Sequence, residues 1–149
     1  MTQVHYLPAD CSIARTLTLI GERWTMLVLR EAFRGVRRFD DIRANTGAPR
    51  QVLSDRLATL VGHGVLRREP YQVIGQRARH EYRLTRKGME LYPILVAIMR
   101  WGDRYLADPD GPPVELTHAD CGAPVDVALR CADGHLLDSA RDVRPVDLP

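Results

Sequence analysis

Several features that would define other classes of protein are missing from this sequence. No stretch approaches the roughly 18 uninterrupted apolar residues of a membrane span. The first residues, MTQVHYLPADCS, lack the charged and then apolar layout of a signal peptide. The chain also has no glycine-rich phosphate loop, no nucleophile elbow and no evident pair of catalytic carboxylates. These absences predict a cytoplasmic protein that has no membrane partner and is not an enzyme.

Cysteine and lysine are also scarce. The three cysteines are an odd number and lie far apart, so they do not suggest a disulfide framework. All but one of the 21 basic side chains are arginine, whose planar fork suits phosphates and guanine edges.

The net charge of +2 hides an uneven distribution of charge along the chain. Residues 1–106 carry 18 basic and 10 acidic side chains, and residues 107–149 carry 3 and 9, so the two parts have charges of +8 and −6. This pattern predicts a polyanion-binding domain over residues 1–106 and an acidic extension over residues 107–149.

Apolar periodicity predicts four helices in the first half of the chain. The first covers residues 12–20, and residues 22–33, which are apolar on nearly every side, predict a central core helix. A short third helix is expected over residues 39–46. The fourth is expected from Pro49, in its first turn, to about Val61, with an apolar stripe made by Leu53, Leu57, Leu60 and Val61.

The second half predicts a hairpin and one long helix. Two short strands are expected on either side of an arginine-bearing tip near residue 75, followed by a helix capped by Thr85 and kinked or locally distorted at Pro93. Weak alternation around residues 114–116 and 125–130 predicts a small hairpin in the tail.

A short helix, a tight turn, an amphipathic helix and a hairpin are the layout of a winged helix-turn-helix. The fold class is therefore mainly α with a small β-hairpin wing and a short C-terminal hairpin-like or zinc-ribbon-like appendage. In the fourth helix Gln51 and Asp55 point away from the apolar stripe, so they are expected to select bases, while Arg50 lies beside phosphate at the edge. The alternative is a merely solvated helix face. The predicted DNA-binding residues are Arg37, Arg38, Arg50, Gln51, Ser54, Asp55, Arg77 and Arg79.

Four motifs resemble the HxlR-type family of bacterial transcriptional regulators: CSIARTLTLIGERWTMLVLRE, RGVRRFDDIRANTG, VLSDRLATLVGHGVLRRE and EYRLTRKGMELYPILVAIMRWGD. They cover roughly residues 11–106. The resemblance implies a homodimer that binds an inverted-repeat operator in double-stranded DNA and controls neighbouring genes. We expect a repressor, and activation is the open alternative. It also implies a dimer interface on the first and last helices, where Leu95, Ile98, Met99 and Trp101 are the candidates; the alternative is that this face is only intramolecular core.

Cys11 matches the N-terminal cysteine with which some members of that family sense oxidants. Because a helix N-terminus favours the thiolate, the position suits such a role. Cys11 is equally suited to being a plain helix cap. Whether a small molecule or an oxidant is the effector is left open.

The tail contains two close pairs of potential zinc ligands, with His118 three residues before Cys121 and Cys131 four residues before His135. Two such pairs can enclose a tetrahedral structural zinc, although no cofactor is required by the predicted function. The alternative is two unconnected thiols and two surface histidines. A second function class also stays open: a winged-helix module that binds another protein and has a zinc-stapled tail.

Overall fold

The computed structural model describes residues 10–146 and residue 148. These residues fall into two compact units, one ending at Tyr92 and the other beginning at Pro93. The predicted functional boundary after residue 106 is a separate matter and stays a prediction. Within the described part of the chain, no helix has both the length and the apolar character that crossing a membrane requires.

The four predicted helices of the first unit are present. They are α1 (Ser12–Ile20), α2 (Arg23–Phe33), α3 (Phe39–Thr46) and α4 (Arg50–Gly62). One detail was wrong: Pro49 lies before the first turn of α4, as its N-cap residue, with an extended ψ of 142°. The turn between α3 and α4 needs Gly47, whose φ of 74° is left-handed and unfavourable for residues with a side chain.

The apolar core of this unit is built around α2. Val28 and Leu29 of that helix are fully buried, and so are the α4 side chains of the predicted stripe, Leu53, Leu57 and Leu60. Truncating one such leucine to alanine typically costs about 2–5 kcal/mol. The core therefore fixes which face of α4 points inward and leaves the opposite face for another role.

One carboxylate, that of Glu31, is completely buried beside this core. Its Oε1 accepts hydrogen bonds from Arg30 (2.9 Å) and Arg34 (3.2 Å), and its Oε2 accepts one from the Asn45 side-chain amide (2.8 Å). Burial acts to raise the pKa of Glu31, but these hydrogen bonds and the two positive charges outweigh it and hold the pKa below its usual value. The Glu31 carboxylate of α2 is thereby hydrogen-bonded to Asn45, near the end of α3.

The wing is the predicted antiparallel hairpin. Strand β1 (Leu66–Tyr71) pairs with β2 (Arg79–Leu84) in a register that sets Leu66 opposite Leu84 and Tyr71 opposite Arg79. The segment just before α3 adds to the far edge of β2, because the Tyr82 amide donates to the Arg37 carbonyl (2.8 Å) and Arg38 forms a bridge with Glu81. The start of α3 is therefore attached to the wing by its backbone.

The predicted long final helix is two helices. A single turn, α5 (Arg86–Met89), is capped by the Thr85 hydroxyl as predicted, and α6 (Tyr92–Tyr105) follows after a break. Pro93 has no N–H to donate to the carbonyl four residues earlier, and its ring disfavours helical geometry in the residue before it. The prediction of one long helix was wrong, and the disturbance expected at Pro93 is a complete break, because proline here lies in a new first turn.

The pairing predicted in the tail is present as a single bridge, between Thr117 and Pro124, next to which the Val125 amide donates to the Leu116 carbonyl (2.8 Å). The hairpin of strand β3 (Leu129–Arg130) and strand β4 (Leu136–Leu137) was not predicted. Within the unit that begins at Pro93, Arg100 of α6 donates to Asp126 at 3.2 Å. That bond and the Val127 amide lower the pKa of Asp126, the amide being the larger cause.

We predict that Glu31→Gln lowers the free energy of unfolding by about 2 kcal/mol at pH 7, because two arginines and one amide lose a buried anion. Since the folded pKa is lowered, this contribution is complete above the unfolded pKa of about 4.3 and is lost as the pH falls through the folded value. Urea unfolding of both proteins from pH 7 to pH 3 measures the difference, which should shrink below about pH 4.3.

The exposed Glu90→Gln serves as the matched control and should change stability little at any of these pH values. A Glu31→Gln protein as stable as the wild type at pH 7 would show that the buried carboxylate contributes nothing net.

Candidate nucleic-acid interface

The outward face of α4 carries the polar side chains that the sequence analysis singled out. Gln51, Ser54 and Asp55 are all exposed. The Gln51 side-chain amide donates to Asp55 Oδ1 at 2.9 Å, across one helical turn. This bond orients the Gln51 amide and leaves its carbonyl oxygen and second N–H for other partners, the combination that reads an adenine edge.

Arg50 and Arg79 converge on one carboxylate. Arg50 opens α4 and Arg79 opens β2, yet the Arg50 guanidinium lies 3.7 Å from Asp40 Oδ1 and the Arg79 guanidinium lies 3.4 Å from Asp40 Oδ2. Arg50 also lies over the Phe39 ring, 5.2 Å from its centroid. The recognition helix and the wing therefore meet at the first turn of α3.

Arg38 lies against the half of the wing that is nearer its turn. Its guanidinium stacks on the Tyr71 ring, 4.3 Å from the centroid, and pairs with Glu81 at 3.6 Å. Its neighbour Arg37 is exposed and is held by the backbone bond to β2. Both predicted phosphate-binding arginines before α3 therefore adjoin the hairpin.

The position of Arg79 differs from the prediction. Arg77 lies in the exposed turn between the strands, as expected, but Arg79 is the first residue of β2 and not part of the tip. The strand begins there because Arg79 pairs with Tyr71 in the ladder. Arg79 therefore lies next to α3 and α4, and only Arg77 of the two extends outward with the wing tip.

Two other wing arginines are bound to acidic neighbours within the hairpin. The Arg67 guanidinium donates to Glu69 (2.8 Å), and that of Arg83 lies 2.9 Å from the same carboxylate. The hydrogen bond from Arg67 is the main cause that lowers the pKa of Glu69. These arginines stabilise the wing rather than the candidate interface.

Arg38, Arg50 and Arg79 line one open cleft of about 460 Å³, together with Asp40 and the exposed side of the wing. Three guanidinium groups and two carboxylates, those of Asp40 and Asp41, line the cleft, which leaves a small positive excess that suits an anion. Its mouth adjoins the N-terminal end of α4, where the helix dipole also favours phosphate.

Sequence reasoning missed two contacts at this surface. Asp40 was read only as part of a helix, and its link to Arg79 spans 39 residues, which no periodicity reveals. Arg56 of α4 lies 3.1 Å from Glu22, the N-cap of α2. Burial opposes ionisation of Glu22, but the Thr25 and Trp24 amides and Arg56 together lower its pKa.

Cys11 is the N-cap residue of α1, a position that both readings of the sequence share. Its thiol is half-buried and unpaired with another cysteine, and its side chain makes no capping hydrogen bond. Arg15, one turn later, lies 3.7 Å from the Asp10 carboxylate. Cys11 is therefore not needed as a capping side chain.

The tail brings each predicted ligand pair together. His118 Nδ1 lies 3.2 Å from Cys121 Sγ, and Cys131 Sγ lies 3.4 Å from His135 Nδ1. Across residues 10–146 and residue 148, however, no three His, Cys, Asp or Glu side chains are grouped so as to hold a metal ion. The two pairs stay separate here, and the four-ligand zinc site stays a prediction.

The α6 helix presents a largely uncovered apolar face. Of the predicted dimer residues, Ile98 and Trp101 are 55% and 59% exposed, while Leu95 and Met99 are half-buried. The Trp101 ring packs against the Tyr105 ring with a centroid distance of 5.3 Å. On α1, Ile13 and Leu17 are also exposed.

Comparison with known proteins agrees with this geometry. Residues 19–110 match the family model described as HxlR-like helix-turn-helix. An HTH-type transcriptional regulator of Mycobacterium tuberculosis is 48% identical over 134 residues, which are 90% of this chain and 84% of the relative.

Solved structures support the same fold. The proposed transcription factor PA1607 superposes with a TM-score of 0.82 at 41% identity, covering 93% of this chain and 95% of that one. The reduced form of the redox regulator HypR covers 64% of this chain and 96% of its own, with a TM-score of 0.57 at 27% identity. The winged helix-turn-helix prediction and the exclusion of an enzyme are thus confirmed, and the chain belongs to the HxlR-like helix-turn-helix family of transcriptional regulators.

Proposed function

We propose that the chain is a sequence-specific DNA-binding repressor that works in the cytoplasm as a homodimer on an inverted-repeat operator. The observation that carries the proposal is that an exposed polar face at the start of α4 lies beside an arginine-lined cleft. Gln51 and Asp55 lie exposed in the first two turns of α4, and the guanidinium groups of Arg38, Arg50 and Arg79 line a cleft beside them.

The α4 helix enters the major groove with its N-terminal end in this proposal. Gln51 and Asp55 contact base edges, with Asp55 either accepting from a cytosine amino group or orienting Gln51 as it does in the free protein. Ser54 and Arg50 contact the adjoining backbone. Arg37, Arg38, Arg77 and Arg79 bind phosphates, which fixes register rather than sequence.

Dimerisation supplies the second half-site. The exposed apolar face of α6 and the exposed apolar side chains of α1 favour association with a second copy, because such patches seldom remain in water. A two-fold dimer presents two copies of α4, so the operator is expected to be an inverted repeat with half-sites about 34 Å apart or a multiple of that. Occupying a promoter at such a site blocks polymerase.

Cys11 is the proposed redox position. The support is its half-buried thiol at the start of α1 and the similarity of the chain to HypR, which is a redox regulator. Oxidation of the thiol to a sulfenic acid, or to a disulfide with a second thiol, would require a peroxide or a disulfide as oxidant.

The first prediction separates base reading from phosphate binding. Gln51→Ala should weaken binding about tenfold at one base position of the selected operator and leave random DNA unaffected. Arg77→Ala should weaken binding to all sequences alike and reduce the slope of log K against log salt by about one unit. Fluorescence anisotropy on single-base operator variants measures both.

Equal losses for Gln51→Ala on operator and random DNA would contradict the base-reading role. A wild-type protein whose DNA affinity does not fall with salt would instead favour the alternative, a protein-binding winged helix.

The second prediction concerns the dimer. Ile98→Asp should convert a wild-type dimer into a monomer, because an exposed charge would have to be buried without a partner. Sedimentation equilibrium measures the mass, and circular dichroism checks that the helices remain. Arg104→Glu, also exposed on α6 but off the apolar face, should stay dimeric. A monomeric wild type at micromolar concentration contradicts the proposal.

The third prediction tests the thiol. Hydrogen peroxide should reduce operator binding by the wild type, and Cys11→Ser should remove this response while keeping binding intact. Cys121→Ser provides the control and should respond like the wild type. If Cys11→Ser remains as sensitive as the wild type, Cys11 is only the residue that precedes a helix.

A further inference from the structure

One exposed carboxylate at the candidate interface joins three separate elements. Asp40 lies in the first turn of α3, and its side chain is 62% exposed. Oδ1 faces Arg50 at the start of α4, and Oδ2 faces Arg79 at the start of β2. Each carboxylate oxygen thus pairs with a different element of the surface that would face DNA.

The carboxylate is too exposed to be needed for the fold. Solvent-exposed ion pairs are typically worth 0–1 kcal/mol, and both arginines are more than half exposed. The attachment of α3 to the wing is already provided by the backbone bond from Tyr82 to Arg37. A negative charge here also repels the phosphates that the cleft attracts. The position of Asp40 is therefore explained by a role other than stability.

We propose that Asp40 is a positioning residue that raises the specificity of DNA binding, an inference that rests on the proposed function. In the operator complex the carboxylate stays between Arg50 and Arg79 and holds both guanidinium groups in register with phosphates beside the base-reading face of α4. On random DNA, where binding is mainly electrostatic, that register brings no gain and the negative charge only repels.

The neighbouring residues fit this role. The Phe39 ring beneath Arg50 restricts that guanidinium from one side, while Asp40 restricts it from another. An arginine oriented in advance loses less conformational freedom when it binds. This orientation strengthens binding only to a duplex whose phosphates meet the oriented guanidinium groups while α4 contacts its bases.

The test compares Asp40→Asn with Asp41→Asn. Both residues lie exposed in the first turn of α3, and both substitutions remove one negative charge near the same helix N-terminus and the same cleft. Only Asp40 pairs with Arg50 and Arg79 among the ion pairs of the described residues. The Asp41 variant therefore measures the effect of charge alone.

The measurement is binding affinity by fluorescence anisotropy at several salt concentrations. The probes are a fragment selected from the native genome and a scrambled duplex of the same length and composition. Asp40→Asn should bind the scrambled duplex about threefold more tightly and the operator about threefold more weakly than the wild type. On scrambled DNA the slope of log K against log salt should become steeper by about one unit, because the freed arginines now neutralise phosphates.

Asp41→Asn should strengthen binding to both duplexes by the same small factor and so keep the specificity ratio of the wild type. Asp40→Glu, which keeps the charge and can reach both arginines, should restore most of the ratio. These two results together separate positioning from charge.

Two outcomes overturn the proposal and can be told apart. If the wild type binds the operator with salt-dependent affinity but the Asp40 and Asp41 variants behave alike, Asp40 is only a surface charge and the proposed function survives. If the wild type binds neither duplex in a salt-dependent way, the proposed function fails and this inference fails with it.

Discussion

The buried carboxylate of Glu31 is the constraint on which the rest of the DNA-facing unit depends. An ionised group without contact with water is tolerated only when its hydrogen-bonding capacity is filled, and Glu31 meets this by accepting from Arg30, Arg34 and Asn45. Arg30 belongs to α2, Arg34 is its C-cap residue, and Asn45 lies near the end of α3. The packing of α3 against the central helix α2 is therefore fixed by the Glu31 carboxylate, whose displacement would cost free energy.

That packing determines where the functional side chains lie. Since α3 is held at its C-terminal end by Asn45 and at its N-terminal end by the backbone bond between Arg37 and Tyr82, neither end is free to shift. Asp40 then has one position from which it meets both Arg50 and Arg79. The buried leucines of α4 hold that helix against the core, so its polar face points outward.

Most of this fold was predictable from the periodicity of apolar residues. Contacts between residues far apart in sequence were not. The helices were predictable because their apolar side chains recur every three to four residues, and the wing because Tyr82 and Leu84 alternate between turn signals. The break before Pro93 was misjudged, since proline suits a new first turn as well as it kinks an old helix. Glu31 and Asp40 could not be foreseen, because their partners are set by tertiary contact.

The Glu31 and Asp40 carboxylates differ in exposure, and therefore in the free energy that their ion pairs contribute. That difference assigns a structural role to Glu31 and a functional role to Asp40. Removing the partner of a buried charge costs several kcal/mol, so the pairs of Glu31 persist through any change at the surface. Exposed pairs are worth about 0–1 kcal/mol, which is close to thermal energy, so those of Asp40 are not needed for folding and can serve instead to orient Arg50 and Arg79. A basic surface that carries a weakly held carboxylate binds less strongly to any polyanion. That effect of charge is the same for operator and random DNA, so in the proposed role specificity comes from the orientation that Asp40 imposes on Arg50 and Arg79.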